Sequence, residues 1–147
     1  MRELVATTKS TILVAVLAGI ATACGSDTPT TPSTPATPTV SFSQQIQAPI
    51  LTPTCSTCHT DDGRTPAGGL NLKSGSSFAQ LVNVTSTGKP GATRVIPGNP
   101  SGSYLVQKLE GAADIVGLRM PRNGPPFLTD AQIATIRQWI QNGAPNN

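Results

Sequence analysis

Cys55-Ser56-Thr57-Cys58-His59 is the stretch on which the reading of this chain turns. Two cysteines separated by two residues, with a histidine directly after the second, form the pattern of c-type haem attachment. The spacing has a chemical reason. It lets both sulfurs reach the two vinyl groups on one haem edge, and the histidine then falls under the iron as proximal ligand. Other chemistries share parts of the pattern. A redox dithiol usually opens a helix after a strand in a thioredoxin-like unit, whereas Ile50-Leu51-Thr52-Pro53-Thr54 precedes this motif without a β-α-β pattern around it. Structural zinc takes four ligands, so Cys55, Cys58 and His59 would need an acidic fourth. A plain disulfide leaves the histidine without a role.

Upstream, Arg2 and Lys9 give a short positive start, and a charge-free apolar run over residues 11–23 ends at Cys24. A membrane span needs about 20 apolar residues, so the run is short for one. Its length and small-residue ending suit a cleaved secretory signal over residues 1–23. Ala21-Thr22-Ala23-Cys24 resembles a bacterial lipobox, in which Cys24 is acylated and becomes the mature N-terminus; ordinary signal cleavage near Ala23 is the alternative. Residues 24–40 form a Thr/Pro-rich tether with prolines at 29, 32, 35 and 38. That three-residue repeat matches the polyproline II turn. At about 3.1 Å per residue such a spacer could hold a domain roughly 50 Å from a bilayer. With Cys24 consumed by lipid, Cys55 and Cys58 are the two thiols left, since the chain has three cysteines.

His59 is the chain's one histidine, which excludes bis-histidine coordination from a single subunit. Apart from the initiator, Met120 is the one methionine, in Leu118-Arg119-Met120-Pro121-Arg122. The following proline disfavours helix at Met120, leaving its thioether on a loop and able to approach an open iron face. The bland reading is a methionine filling a core gap. Met/His ligation raises the potential and suits electron transfer over oxygen chemistry.

The rest of the domain reads as helices. Phe42, Ile46 and Ile50 recur every four residues and predict a helix over about 42–51 that leads into the haem motif. A short segment over 77–82 is a second candidate. Asn99-Pro100 reads as a cap with proline at the first helical position, launching a helix that ends near Gly111. Thr129-Asp130-Ala131-Gln132 fits a capping box, with Leu128 and Ile133 placed as a staple and Gly143 as a stop. The expected fold is therefore all-α: a small helical domain over residues 41–147 wrapped around one covalently attached haem. Its supply of large apolar side chains is thin, with five aromatics in 147 residues and 14 each of Gly and Pro. Such a core is marginal unless something else adds apolar bulk, as a buried macrocycle would. A net charge of +3 without a basic block gives no sign of a nucleic-acid partner.

Residues 41–147 resemble the planctomycete-type cytochrome c domain, a relative of class I cytochromes c. The resemblance rests on the haem motif, Gly68-Gly69-Leu70-x-Leu72, Val95-Ile96-Pro97-Gly98-Asn99-Pro100 with Ser103-x-Leu105, Arg119-Met120-Pro121, and Leu128 through Trp139-Ile140 to Gly143-Ala144. It implies a cytochrome c-like fold, covalent haem c and Met120 as distal ligand. The family often has proline where Arg122 stands here. Class I packing would set Phe42 or Ile46 against Ile136 or Trp139. Arg94, Arg119 and Arg122, with Tyr104 and Trp139, are the resemblance's candidates to meet the haem propionates.

The expected activity is that of an electron carrier rather than an enzyme, exported to the periplasmic side and lipid-anchored to the membrane. Its partners would be donor and acceptor redox proteins and the bilayer. Two alternatives stand beside it: a haem sensor or small peroxidase-like enzyme in which Met120 is displaced, and a haem-free Cys-x-x-Cys redox or metal module.

Overall fold

The structure, a computed structural model, describes residues 39–63 and 65–147. The expected signal peptide, the lipobox with Cys24, and all but the last two residues of the tether lie outside the described residues.

The first helix, α1, spans Phe42–Cys55. It therefore runs past the boundary near 51 that its apolar spacing predicts and continues into the first haem-motif cysteine. Pro49 and Pro53 lie inside it. A proline has no N–H to donate, and its ring collides with the carbonyl four residues back. The helix carries both by opening into wider, π-type turns, so that the Ser56 N–H reaches the Leu51 carbonyl, five residues back, at 2.9 Å. Such turns are uncommon and concentrate at functional sites. At its start the Ser41 hydroxyl accepts from the Gln44 N–H at 3.3 Å, and the Gln45 carboxamide accepts from the Ser41 N–H at 2.8 Å.

A short 3₁₀ turn follows at Ala67–Gly69, then α2 over Ser77–Leu81, α3 over Tyr104–Glu110 and α4 over Asp130–Gln141. Among the described residues there is no β-strand, only isolated bridges pairing Val82 with Val95 and Thr85 with Thr93. The domain is helical, in keeping with the all-α expectation.

Helix α3 begins later than Asn99-Pro100 suggests. Its first two N–H groups, on Tyr104 and Leu105, bond to the Thr93 and Arg94 carbonyls at 3.0 and 2.9 Å. They are thus committed to a distant segment rather than to the turn before them. Asn99 caps that turn instead, accepting from the Gly102 N–H at 2.9 Å. The buried Ser103 hydroxyl ties it down, donating to the Asn99 carbonyl and accepting from the Ile96 N–H. Gly111 closes α3 in the left-handed conformation, at φ 74°.

Helix α4 follows its sequence signals closely. Thr129 and Gln132 form the reciprocal capping box, at 3.2 and 2.9 Å. At the other end the Ala144 N–H bonds to the Trp139 carbonyl and the Gly143 N–H to that of Ile140. This is a Schellman closure, with Gly143 at φ 91°.

Helix α4 packs against both α1 and α3. Phe42 meets Trp139 with ring centroids 5.0 Å apart, and Phe78 stands edge-on to Phe42 at 5.4 Å. Ile46, Ile136 and Ile140 are fully buried around them. Asn147 closes the circuit: its side chain accepts from the Phe42 N–H and its backbone carbonyl from the Ser43 N–H, both at 2.8 Å. The expected pairing of first and last helices is what the structure has.

Because the Thr129 hydroxyl is the acceptor for the Gln132 N–H in the capping box, Thr129→Ala should lower stability by about 1 kcal/mol. An urea midpoint shifted without a change in slope is the expected result.

Candidate functional site

Cys55 and Cys58 open onto a cleft of about 720 Å³, within the roughly 300–1,000 Å³ of small-molecule and cofactor sites. Its walls draw on every helix but α4. Cys55 sits at the end of α1, and Cys58 and His59 on the turn that follows. Leu70 and Leu72 come from the segment after the 3₁₀ turn, Leu81 from α2, Leu105 and Leu109 from α3, and Met120 from the loop beyond it. The lining is mainly apolar. Its charged members are Arg94, Lys108 and Arg122, with no carboxylate among the described lining residues.

Hydrogen bonds set the motif's geometry. The Cys58 and His59 N–H groups both return to the Cys55 carbonyl, at 3.2 and 3.0 Å, so the turn continues the axis of α1. The His59 carbonyl accepts from the Leu72 N–H at 2.8 Å, strapping the motif to the leucine wall. Gln47 and Ser56 anchor that wall further, each donating to the Leu72 carbonyl at 3.2 and 3.0 Å. Most telling is the imidazole. Its Nδ1 lies 2.8 Å from the Ala67 carbonyl. A carbonyl oxygen can only accept, so Nδ1 carries the proton and the neutral ring keeps its lone pair on Nε2. A backbone carbonyl that fixes the tautomer in this way is the usual partner of a metal-binding histidine.

Cys55 and Cys58 are both free thiols, Cys55 half-buried and Cys58 exposed. Burial pushes the Cys55 thiol up to about 11, and the neighbouring Cys58 adds to the effect. Met120 is half-buried against the core, and its N–H donates to the Lys108 carbonyl at 2.9 Å.

The other residues singled out from the sequence divide. Arg94 lines the cleft and is buried, its guanidinium donating to the Gln80 and Gly69 carbonyls at 2.8 and 3.1 Å. Lost solvation lowers its pKa from the usual arginine value. Tyr104 lines the cleft too, its hydroxyl accepting from the Val116 N–H at 3.0 Å. Arg122 is an exposed lining residue. Arg119 and Trp139 lie elsewhere and do not line this cleft. Arg119 faces a smaller groove between α3 and α4, stacked 4.3 Å from the Phe127 ring centroid, with Nε donating to the Leu109 carbonyl. Trp139 is fully buried beneath Phe42, and its indole N–H is taken by the Pro145 carbonyl at 2.9 Å. Its size and position near Ile140 suit the core that joins α1 to α4.

Sequence reasoning missed Lys108. It lines the cleft, donates to the Val116 carbonyl at 3.0 Å and to that of Leu118, and loses enough solvation to lower its pKa. The signal was there: Lys108 follows Tyr104 by four residues, hence on the same helix face.

No protein-family model, curated protein or solved structure matches this chain.

The exposure of Cys58 and the burial that raises the Cys55 pKa allow the two thiols to be told apart chemically. In protein with both thiols free, iodoacetamide at pH 8 should modify Cys58 well before Cys55, because the thiolate is the nucleophile. Cys55 labelling should accelerate only as the pH approaches about 11. Peptide mass spectrometry over a time course reads both rates.

Proposed function

We propose that this protein is a single-haem c-type cytochrome, exported and tethered to a membrane, that carries electrons between donor and acceptor redox proteins. One observation carries the reading: the apolar cleft is lined by both motif thiols, a thioether, and a histidine whose Nδ1 is already held by the Ala67 carbonyl. Cys55 and Cys58 would supply the two thioether bonds to the macrocycle, while His59 Nε2 and the Met120 sulfur would be the axial ligands. When bound, haem supplies one-electron chemistry, with its potential set by those ligands, by burial and by neighbouring hydrogen bonds.

The chain's own residues fit that group in three ways. The leucines of the cleft present the apolar contact that a macrocycle needs. Arg94 and Arg122 bring positive charge to a lining without carboxylates, which suits a cofactor bearing propionates. The carbonyl behind His59 orients the ring and raises its basicity as a ligand. Export and the lipid anchor at Cys24 rest on the sequence of residues 1–40. They put the protein in the compartment where c-type haem is attached, with the Thr/Pro-rich tether as spacer.

The decisive measurement is the visible spectrum of the exported protein under denaturing, reducing conditions. Covalently retained haem is the expected result, and its loss in Cys55→Ala/Cys58→Ala protein should follow. Haem-free protein with two titratable thiols would point to a dithiol or metal module instead. Met120→Ala should abolish the sulfur-to-iron charge-transfer band of the ferric protein and lower its midpoint potential. A native protein that lacks this band at neutral pH would favour a sensor or peroxidase-like role with an open iron.

A further inference from the structure

The loop between α3 and Met120 poses a physical problem. Ile115 is half-buried, but two of the loop's three large apolar residues, Val116 and Leu118, are 56% and 59% exposed and are the large hydrophobics most exposed among the described residues. Burial therefore does little to hold the stretch from Val116 to Leu118. Glycines at 111 and 117, both at φ 74°, give the loop's backbone two left-handed turns. A ligand carried on such a loop wanders unless polar contacts fix it.

Lys89 holds the start of the loop at Asp114, and Arg119 donates to the Leu109 carbonyl at 2.7 Å; between them, the contacts come from one face of α3. The Lys108 carbonyl accepts from the Met120 N–H at 2.9 Å. The Lys108 ammonium reaches back over the same loop to the Val116 carbonyl at 3.0 Å and to that of Leu118. One turn earlier, the Tyr104 hydroxyl accepts from the Val116 N–H at 3.0 Å. Lys108 thus touches the loop from both its main chain and its side chain, and these bonds span Val116 to Met120. Hydrogen bonds from a charged donor are worth more than neutral ones.

We propose that Lys108 is a positioning residue for the distal ligand: its ammonium clasps the Val116 and Leu118 carbonyls and so holds the Met120 sulfur at the cleft. This rests on the reading of the chain as a c-type cytochrome with Met120 on the iron. It assigns Lys108 no contact with the haem. Without the clasp, the loop samples conformations in which Met120 stands away from the cleft, and the iron becomes open to exogenous ligands for that fraction of time.

The test is Lys108→Leu in the exported, haem-loaded protein. Leucine retains an apolar stem, removes every donor and cannot ligate iron. The expected ferric variant, having lost both charged hydrogen bonds, has a weakened sulfur-to-iron charge-transfer band and binds imidazole at least about tenfold tighter than the parent. Arg137→Gln, which removes a positive charge outside the cleft, should leave both readouts unchanged and so separate the clasp from general charge. Unchanged band and imidazole affinity in Lys108→Leu, with haem attached and the band present in the parent, would overturn the clasp and leave the cytochrome reading standing. A parent without covalent haem or without the band removes the cytochrome or Met-ligand reading, and the clasp with it. If Lys108→Leu fails to accumulate, Tyr104→Phe removes the acceptor of the Val116 N–H. It should give the same two changes in smaller degree, and their absence would count against the clasp.

Discussion

The contact between Phe42 and Trp139 joins the two ends of the domain, and the position of the cleft depends on it. Phe42 opens α1 and Trp139 lies two residues from the end of α4, with their ring centroids 5.0 Å apart. Aromatic pairs of this kind add to the apolar burial of both rings. In a chain with five aromatics, three converge here, since Phe78 stands against the pair as well. Once α1 is seated on α4, its far end has little freedom, and that end is Cys55.

From that anchor the cleft follows by a short chain of constraints. Two prolines widen α1 but do not end it, so the helix delivers Cys55 and turns directly into Cys58 and His59. Gln47 and Ser56 hold the Leu72 carbonyl, which sets the leucine wall beside the motif. Helix α3, the other partner of α4, supplies the opposite set of residues: Leu105, Leu109, Tyr104 and Lys108. The same helix face then governs the Met120 loop. One buried aromatic contact thereby controls two lining groups that are far apart in sequence.

The Cys-x-x-Cys-His pattern was legible without coordinates because its chemistry is local: five consecutive residues fix the relation of two sulfurs to one imidazole. The ends of α4 were legible for the same reason, since a capping box and a left-handed glycine act within four residues of the helix terminus. The start of α3 was not. Its first N–H groups go to Thr93 and Arg94, which no local signal in Asn99-Pro100 announces. Nor was the end of α1: the apolar spacing of Phe42, Ile46 and Ile50 stops near 51, while the wider turns carry the helix past Pro53 to Cys55.

The sequence by itself determined the helical class, the sulfur and imidazole groups that residues 41–147 offer at Cys55, Cys58, His59 and Met120, and the way α4 begins and ends. Each of these depends on residue identity or on neighbours within a turn or two. Tertiary structure alone decided which of the remaining side chains face the cleft. Arg94, Tyr104 and Arg122 line it, Arg119 and Trp139 do not, and Lys108 enters unannounced. The physical reason is that arginine, lysine and tryptophan side chains are satisfied equally well by a distant carbonyl or a ring as by a ligand. Only the packed fold fixes which partner lies within reach.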